Sequence, residues 1–133
     1  MKKIIMFLII FMVLAGWCCT VSPASPAPPQ PKLTVSPEAW DLGKIKGGSS
    51  YNLTYIVYNS GKAPLKIDNV RASCGCTDVK ISSNKILPRQ YATLNATFHS
   101  GSMSGKVEKI IYIESNAPGQ EINTVKIKAE VVP

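Results

Sequence analysis

The chain has 133 residues, with 15 lysines and arginines against 8 acidic residues and one histidine, for a formal charge of +7. That length holds one small domain and is too short for two. The basic residues are scattered, and the sequence carries no phosphate-cradling glycine loop, zinc-metalloprotease helix or nucleotide fingerprint, which excludes nucleotide-dependent enzymes and patch-driven nucleic-acid binders.

Lys2 and Lys3 precede sixteen uncharged residues from Ile4 to Cys19. This is the order of a charged n-region and an apolar core in a secretory signal. The run is shorter than the ~18 to 20 residues that cross a bilayer comfortably. Residues 1–19 are therefore expected to be a signal peptide or a short membrane anchor, and the remainder to be exported. Leu14-Ala15-Gly16 has the start of a bacterial lipoprotein box, although Trp17 stands where the box wants its cysteine. Acylation at Cys18 or Cys19 would leave the protein lipid-anchored; the alternative is plain cleavage nearby. Half of the residues from Ser22 to Pro31 are proline and none is charged. Proline fixes φ and removes the ladder donor, so residues 20–31 are expected to form an extended stalk of about 35 to 40 Å. Such a spacer suits a chain fixed at its start.

Residues 32–133 form the domain, and their hydrophobic period is two. Short strands fit 33–35 and 40–45. Leu53, Tyr55 and Val57 then alternate with Asn52, Thr54 and Ile56. Further short strands fit 65–70 and 77–81. Ala92, Leu94, Ala96 and Phe98 alternate with Thr93, Asn95 and Thr97, and similar runs cover 107–113 and 125–131. Turn signals separate them, among them Lys46-Gly47-Gly48-Ser49, Asn59-Ser60-Gly61-Lys62, Leu87-Pro88-Arg89-Gln90 and Ala117-Pro118-Gly119. No segment has a helical face. The expectation is an all-β, immunoglobulin-like antiparallel β-sandwich of seven to eight strands.

In order along the chain stand Trp40-Asp41-Leu42-Gly43-Lys44-Ile45, Tyr58-Asn59-Ser60-Gly61, Pro64-Leu65-Lys66-Ile67, Ser73-Cys74-Gly75-Cys76-Thr77 and Ser115-Asn116-Ala117-Pro118. On these segments the domain resembles the bacterial domain of unknown function 1573 family. The resemblance implies an exported or lipid-anchored protein with a fold similar to the major sperm protein, PapD-like and Hydin group. It brings no established activity. One departure is the turn at Pro88-Arg89, where the family usually has Pro-Gly, which implies a changed turn; another is a less basic start to the strand near Val107.

Chemistry beyond packing concentrates at Cys74-Gly75-Cys76. The pair is readable as packed thiols in a turn, as a readily reduced disulfide in a tight bend, or as soft ligands for Cu(I). If strand directions alternate, the loops 46–49, 71–76 and 100–105 share one pole. Cys74, Cys76, His99 and Met103 would then be candidate copper ligands at one end. His99 is the sole imidazole, so a cysteine-histidine catalytic pair would have only Asp78 as its orienting carboxylate, which argues against an enzyme. Asn52-Leu53-Thr54 and Asn95-Ala96-Thr97 match the glycosylation pattern but read most simply as exposed strand residues without sugar. The tyrosines at strand positions suit packing or a rim. The reading is thus a non-catalytic, exported or envelope-tethered interaction module without a cofactor. Its expected partner is an envelope protein or surface component, and nucleic acid is not expected. The alternative is a periplasmic Cu(I)-binding or thiol-redox module using Cys74 and Cys76.

Overall fold

Alternation of small polar and branched apolar residues becomes nine strands in the computed structural model, which describes residues 22–133. They are β1 (Leu33–Ser36), β2 (Ala39–Lys46), β3 (Ser50–Asn59), β4 (Leu65–Ala72), β5 (Thr77–Ile81), β6 (Lys85–Ile86), β7 (Tyr91–His99), β8 (Gly105–Ser115) and β9 (Ile122–Val132). No helix occurs among the described residues. One sheet has the order β1-β3-β7-β5 and the other β2-β9-β8-β4-β6. Leu53, Tyr55 and Val57 of β3, Leu94, Ala96 and Phe98 of β7, and Val125, Ile127 and Val131 of β9 turn inward and are buried between the layers. Burial at every second position is what a pleated strand with one wet face requires. The expected signal segment and the acylation candidates Cys18 and Cys19 lie outside the described residues.

Two features differ from the sequence expectation. The ninth strand is β6, whose two residues pair with Leu65 and Lys66; an element that short has no period to read. The sandwich is also not wholly antiparallel, because β2 runs parallel to β9. After pairing with β3, the chain crosses at the cis Ser36-Pro37 bond into the other sheet without reversing direction. Beyond Ser36 the β1 side of β3 is therefore left without a strand, and the Trp40 indole N–H reaches over to donate to the Thr54 carbonyl at 3.2 Å.

The stalk joins at one pole. Residues 22–30 are exposed and without regular structure. The Lys62 N–H donates to the Gln30 carbonyl (2.9 Å) and the Ser60 N–H to the Lys32 carbonyl (3.0 Å). Gly61 is required there, since a β-carbon would fall on the Gln30–Lys32 backbone. The centre of this pole is Asn59, fully buried. Its Oδ1 accepts from Lys32 N (3.3 Å) and Gly61 N (3.0 Å), and its Nδ2 donates to the carbonyls of Ala63 (2.8 Å) and Ile86 (3.0 Å). In the core, the buried Tyr55 hydroxyl donates to the Lys126 carbonyl at 3.0 Å, tying the two sheets, and burial pushes its pKa up to about 12.

Arg89 has φ of +62°. The Gln90 N–H donates to the Leu87 carbonyl at 3.0 Å, so Pro88 and Arg89 are the central residues of a turn whose third position needs positive φ. Glycine takes that conformation freely, whereas a side chain there costs about 1 kcal/mol. Arg89→Gly should therefore raise stability by about 1 kcal/mol in urea unfolding; an unchanged or lower midpoint would show that the arginine side chain offsets the strain.

Candidate functional site

The turn between β4 and β5 carries the chain from one sheet to the other, and both cysteines sit in it. It is pinned on each side. The Ser73 N–H donates to the Ile110 carbonyl (2.8 Å) and Ser73 Oγ accepts from Ile110 N (3.1 Å), while the Cys76 carbonyl accepts from His99 N (2.8 Å). Between these anchors Cys74 and Cys76 are joined by a disulfide, with their Cα atoms 5.3 Å apart. Both residues are half-buried, and Cys76 packs against the edge of the core.

Loops 46–49, 71–76 and 100–105 do share a pole. Gly48 N donates to Gly101 O (2.8 Å), Ser100 N to Ser49 O (2.9 Å) and Gly47 N to Val132 O (3.0 Å). The candidate ligands are nevertheless engaged elsewhere. His99 Nδ1 lies 2.8 Å from Ser50 Oγ and Nε2 lies 2.9 Å from Asp78 Oδ2, so both ring nitrogens have partners on the outer face of the four-stranded sheet. Met103 is half-buried and packs against the core. Among the described residues no three His, Cys, Asp or Glu side chains gather in a way that could hold a metal ion.

Ser50, His99 and Asp78 thus form a hydrogen-bonded chain across β3, β7 and β5. Asp78 was visible in the sequence as the nearest carboxylate to the histidine. Ser50 was not, because only strand register puts it opposite His99. Acyl transfer would also need amide donors aimed at a developing oxyanion. The neighbouring amides are already used: Gly47 N and Gly48 N as above, and Ser49 N on Ser100 Oγ at 2.9 Å. The chain is exposed, with the Asp78 side chain 81% accessible. An exposed pair of this kind is worth at most about 1 kcal/mol. A groove of about 480 Å³ lies beside the bend of β2, lined by Asp41, Lys44, Lys106, Glu108, Lys128 and Glu130 among others. It mixes both charge signs and is lined by no cysteine, serine, threonine or histidine.

The disulfide spans a sequence separation of two. In the chain-entropy account so small a loop contributes only about 1 to 2 kcal/mol, against about 3 for a fifteen-residue loop. With Ser73 and Cys76 pinned by backbone bonds, the turn holds without it. The variant Cys74→Ser/Cys76→Ser should lose no more than about 2 kcal/mol in urea unfolding and keep its β-sheet circular dichroism; a loss above about 4 kcal/mol would make the bridge a structural staple.

The geometry can be set beside known proteins. In solved structures the chain is similar to a protein of unknown function from Porphyromonas gingivalis W83, with a TM-score of 0.67 and 20% identity, over 81% of this chain and 50% of that one. It thus spans half the length of that protein. It is also similar to the VesB protease of Vibrio cholerae (TM-score 0.63, 10% identity, 74% of this chain and 31% of that one). A third likeness is to PapD-like domain 7 of human CEP192 (TM-score 0.58, 9% identity, 87% and 96%). At these identities the likeness is one of fold: an immunoglobulin-like, PapD-like sandwich. No curated protein matches the chain in sequence. The match to the domain of unknown function 1573 covers residues 33–131, from the first residue of β1 to the penultimate residue of β9, and the chain belongs to that family of proteins of unknown function (DUF1573).

Proposed function

We propose that the domain is a non-catalytic interaction module, exported and tethered to the cell envelope through its N-terminus, which the proline-rich stalk holds away from the membrane. One observation carries the reading: the stalk joins at the Asn59–Lys62 pole, while the Cys74–Cys76 turn and the 100–105 loop sit at the opposite pole. The ten residues of β3 separate the poles by about 30 Å. A tether on this side leaves the far pole and both sheet faces open to a partner. The non-catalytic part is supported by the exposure of the Ser50-His99-Asp78 chain and by the bonding of the Gly47, Gly48 and Ser49 amides beside it within the loops.

A second reading is favoured by the bonded cysteines. A small, half-exposed ring that contributes little stability is suited to exchange. A partner thiolate attacks one sulfur, the Cys74–Cys76 bond breaks, and a mixed disulfide forms with the other cysteine leaving as thiolate. A second partner thiolate then resolves the mixed bond, so the partner is oxidised to a disulfide and this chain is reduced to the dithiol.

The first reading is tested by photo-crosslinking in intact cells, with a benzophenone amino acid replacing Ser102 at the far pole, Asn95 on the outer sheet face or Lys62 beside the stalk. Discrete adducts from Ser102 or Asn95 but not from Lys62 are expected. Adducts from Lys62 alone, or from none of the three, would contradict presentation by the stalk.

A further inference from the structure

The two outward faces of the sandwich differ in charge. On the five-stranded sheet, Lys126 Nζ lies 3.0 Å and Lys128 Nζ 3.9 Å from the Glu108 carboxylate, and Arg71 pairs with Glu114 at 3.1 Å. On the four-stranded sheet, β3 turns Ser50, Asn52, Thr54, Ile56 and Tyr58 outward, and β7 turns Tyr91, Thr93, Asn95 and Thr97 outward. β1 adds Thr34 and Ser36. None of these carries a formal charge. Formal charge enters from β5, where Asp78 stands opposite Thr97 and Lys80 opposite Asn95.

From this chemistry we infer that the outward face of the four-stranded sheet binds an uncharged polysaccharide strand. The inference rests on the interaction-module reading and names the chemistry of the partner. Asn52 stands opposite Thr97, and Thr54 opposite Asn95. Thr97 Oγ1 donates to Asn52 Oδ1 (2.9 Å) and Thr54 Oγ1 donates to Asn95 Oδ1 (3.1 Å). These bonds hold both amides in place by their oxygens and leave their exposed NH₂ groups as donors of set direction, the preorganisation that lowers the entropy lost on binding. Farther along the same face Tyr58 stands opposite Tyr91, which is 65% exposed, and Ile56 is exposed beside them. The Trp40 ring borders the face at Thr54. Aromatic faces take the C–H side of a pyranose ring, while amides and hydroxyls take its oxygens.

The shape fits an extended ligand. The row from Ser50 to Tyr58 runs about 27 Å along one strand, with amide donors at one part and rings at another. A small molecule wants a concavity, and a pleated sheet face is not one. A highly charged partner would find only Asp78 and Lys80, of opposite sign, on this face and more charge on the Lys126-Glu108 side. A peptide strand adds to a sheet edge, whereas β7 is flanked by β3 and β5 over Leu94–Phe98 and the Trp40 indole already occupies the Thr54 carbonyl on the open edge of β3. The exposed apolar area, confined to the Ile56, Tyr58 and Tyr91 end, is small for pairing two copies of the chain.

The test is titration calorimetry of the full chain in a sugar-free detergent, lauryldimethylamine oxide, with cellohexaose and chitohexaose at about 50 mM and about 500 mM salt. Binding of at least one hexaose is expected, with Kd between about 10 μM and 1 mM and less than twofold change with salt. Tyr91→Ala and the isosteric Asn52→Asp should each weaken it at least tenfold while keeping the wild-type melting temperature, and Lys128→Ala should leave it unchanged. No binding at millimolar hexaose would overturn the inference, as would binding that survives Tyr91→Ala and Asn52→Asp or is lost at high salt. So would a concentration-dependent dimer, without sugar, that Tyr91→Ala disperses. A protein adduct at Ser102 together with no hexaose binding would remove the glycan inference and leave the interaction module standing.

Discussion

One buried amide decides how the domain is held. Asn59 ends β3 where the stalk, β1, β6 and the start of β7 converge, and its side chain satisfies four backbone groups, at Lys32, Gly61, Ala63 and Ile86. Its own N–H donates to Gln90 O and its carbonyl accepts from Arg89 N. Each such bond is worth about 1 kcal/mol net, but losing the amide would strand several buried partners at about 1 to 3 kcal/mol apiece. An apolar residue could fill the volume and could not replace this wiring. Because the Gln30–Lys32 backbone lies against Gly61, the direction in which the stalk leaves the domain is set by the same pole.

The rest of the molecule is organised relative to that attachment. Strands run about 30 Å from the Asn59 pole to the turn that carries the disulfide. Between the poles, the two layers are tied by apolar burial and by the Tyr55 hydroxyl on Lys126, and no buried side-chain polar atom among the described residues lacks a partner. One outward face is laced with ion pairs, and on the other β1, β3 and β7 present mainly uncharged side chains with charge on β5 at Asp78 and Lys80. A sandwich tethered as proposed offers two faces of different charge content and a free end. The Ser50-His99-Asp78 chain belongs to the margin of the four-stranded face and reads as surface wiring, since it is exposed and the Gly47, Gly48 and Ser49 amides beside it are already bonded.

Much of the fold was legible in the residues, for a physical reason. Alternation at 53–57, 92–98 and 125–131 reports a strand with one wet face, and those inward positions are the ones buried. Alternation does not report direction, so the parallel β2–β9 pair was hidden in a chain that crosses sheets at Ser36-Pro37 without turning back. Register is equally silent in a single strand. His99 and Asp78 could be suspected of meeting, but Ser50 could not, nor could the crossed pairing of Asn52 with Thr97 and Asn95 with Thr54, which makes two glycosylation-like triplets into one hydrogen-bonded patch. The Pro88-Arg89 departure was expected to change the turn; instead Arg89 takes the positive φ that the third position of a Pro-Gly turn needs.

Tethered presentation is tested most directly by intact mass spectrometry of the protein from its native envelope, with and without alkylation under non-reducing conditions. The account predicts a chain beginning at Cys18 or Cys19 that carries the mass of a diacylglyceryl group, with Cys74 and Cys76 resisting alkylation until reduced. A chain that begins unmodified near Thr20 to Ser25, recovered free of the membrane, would contradict it.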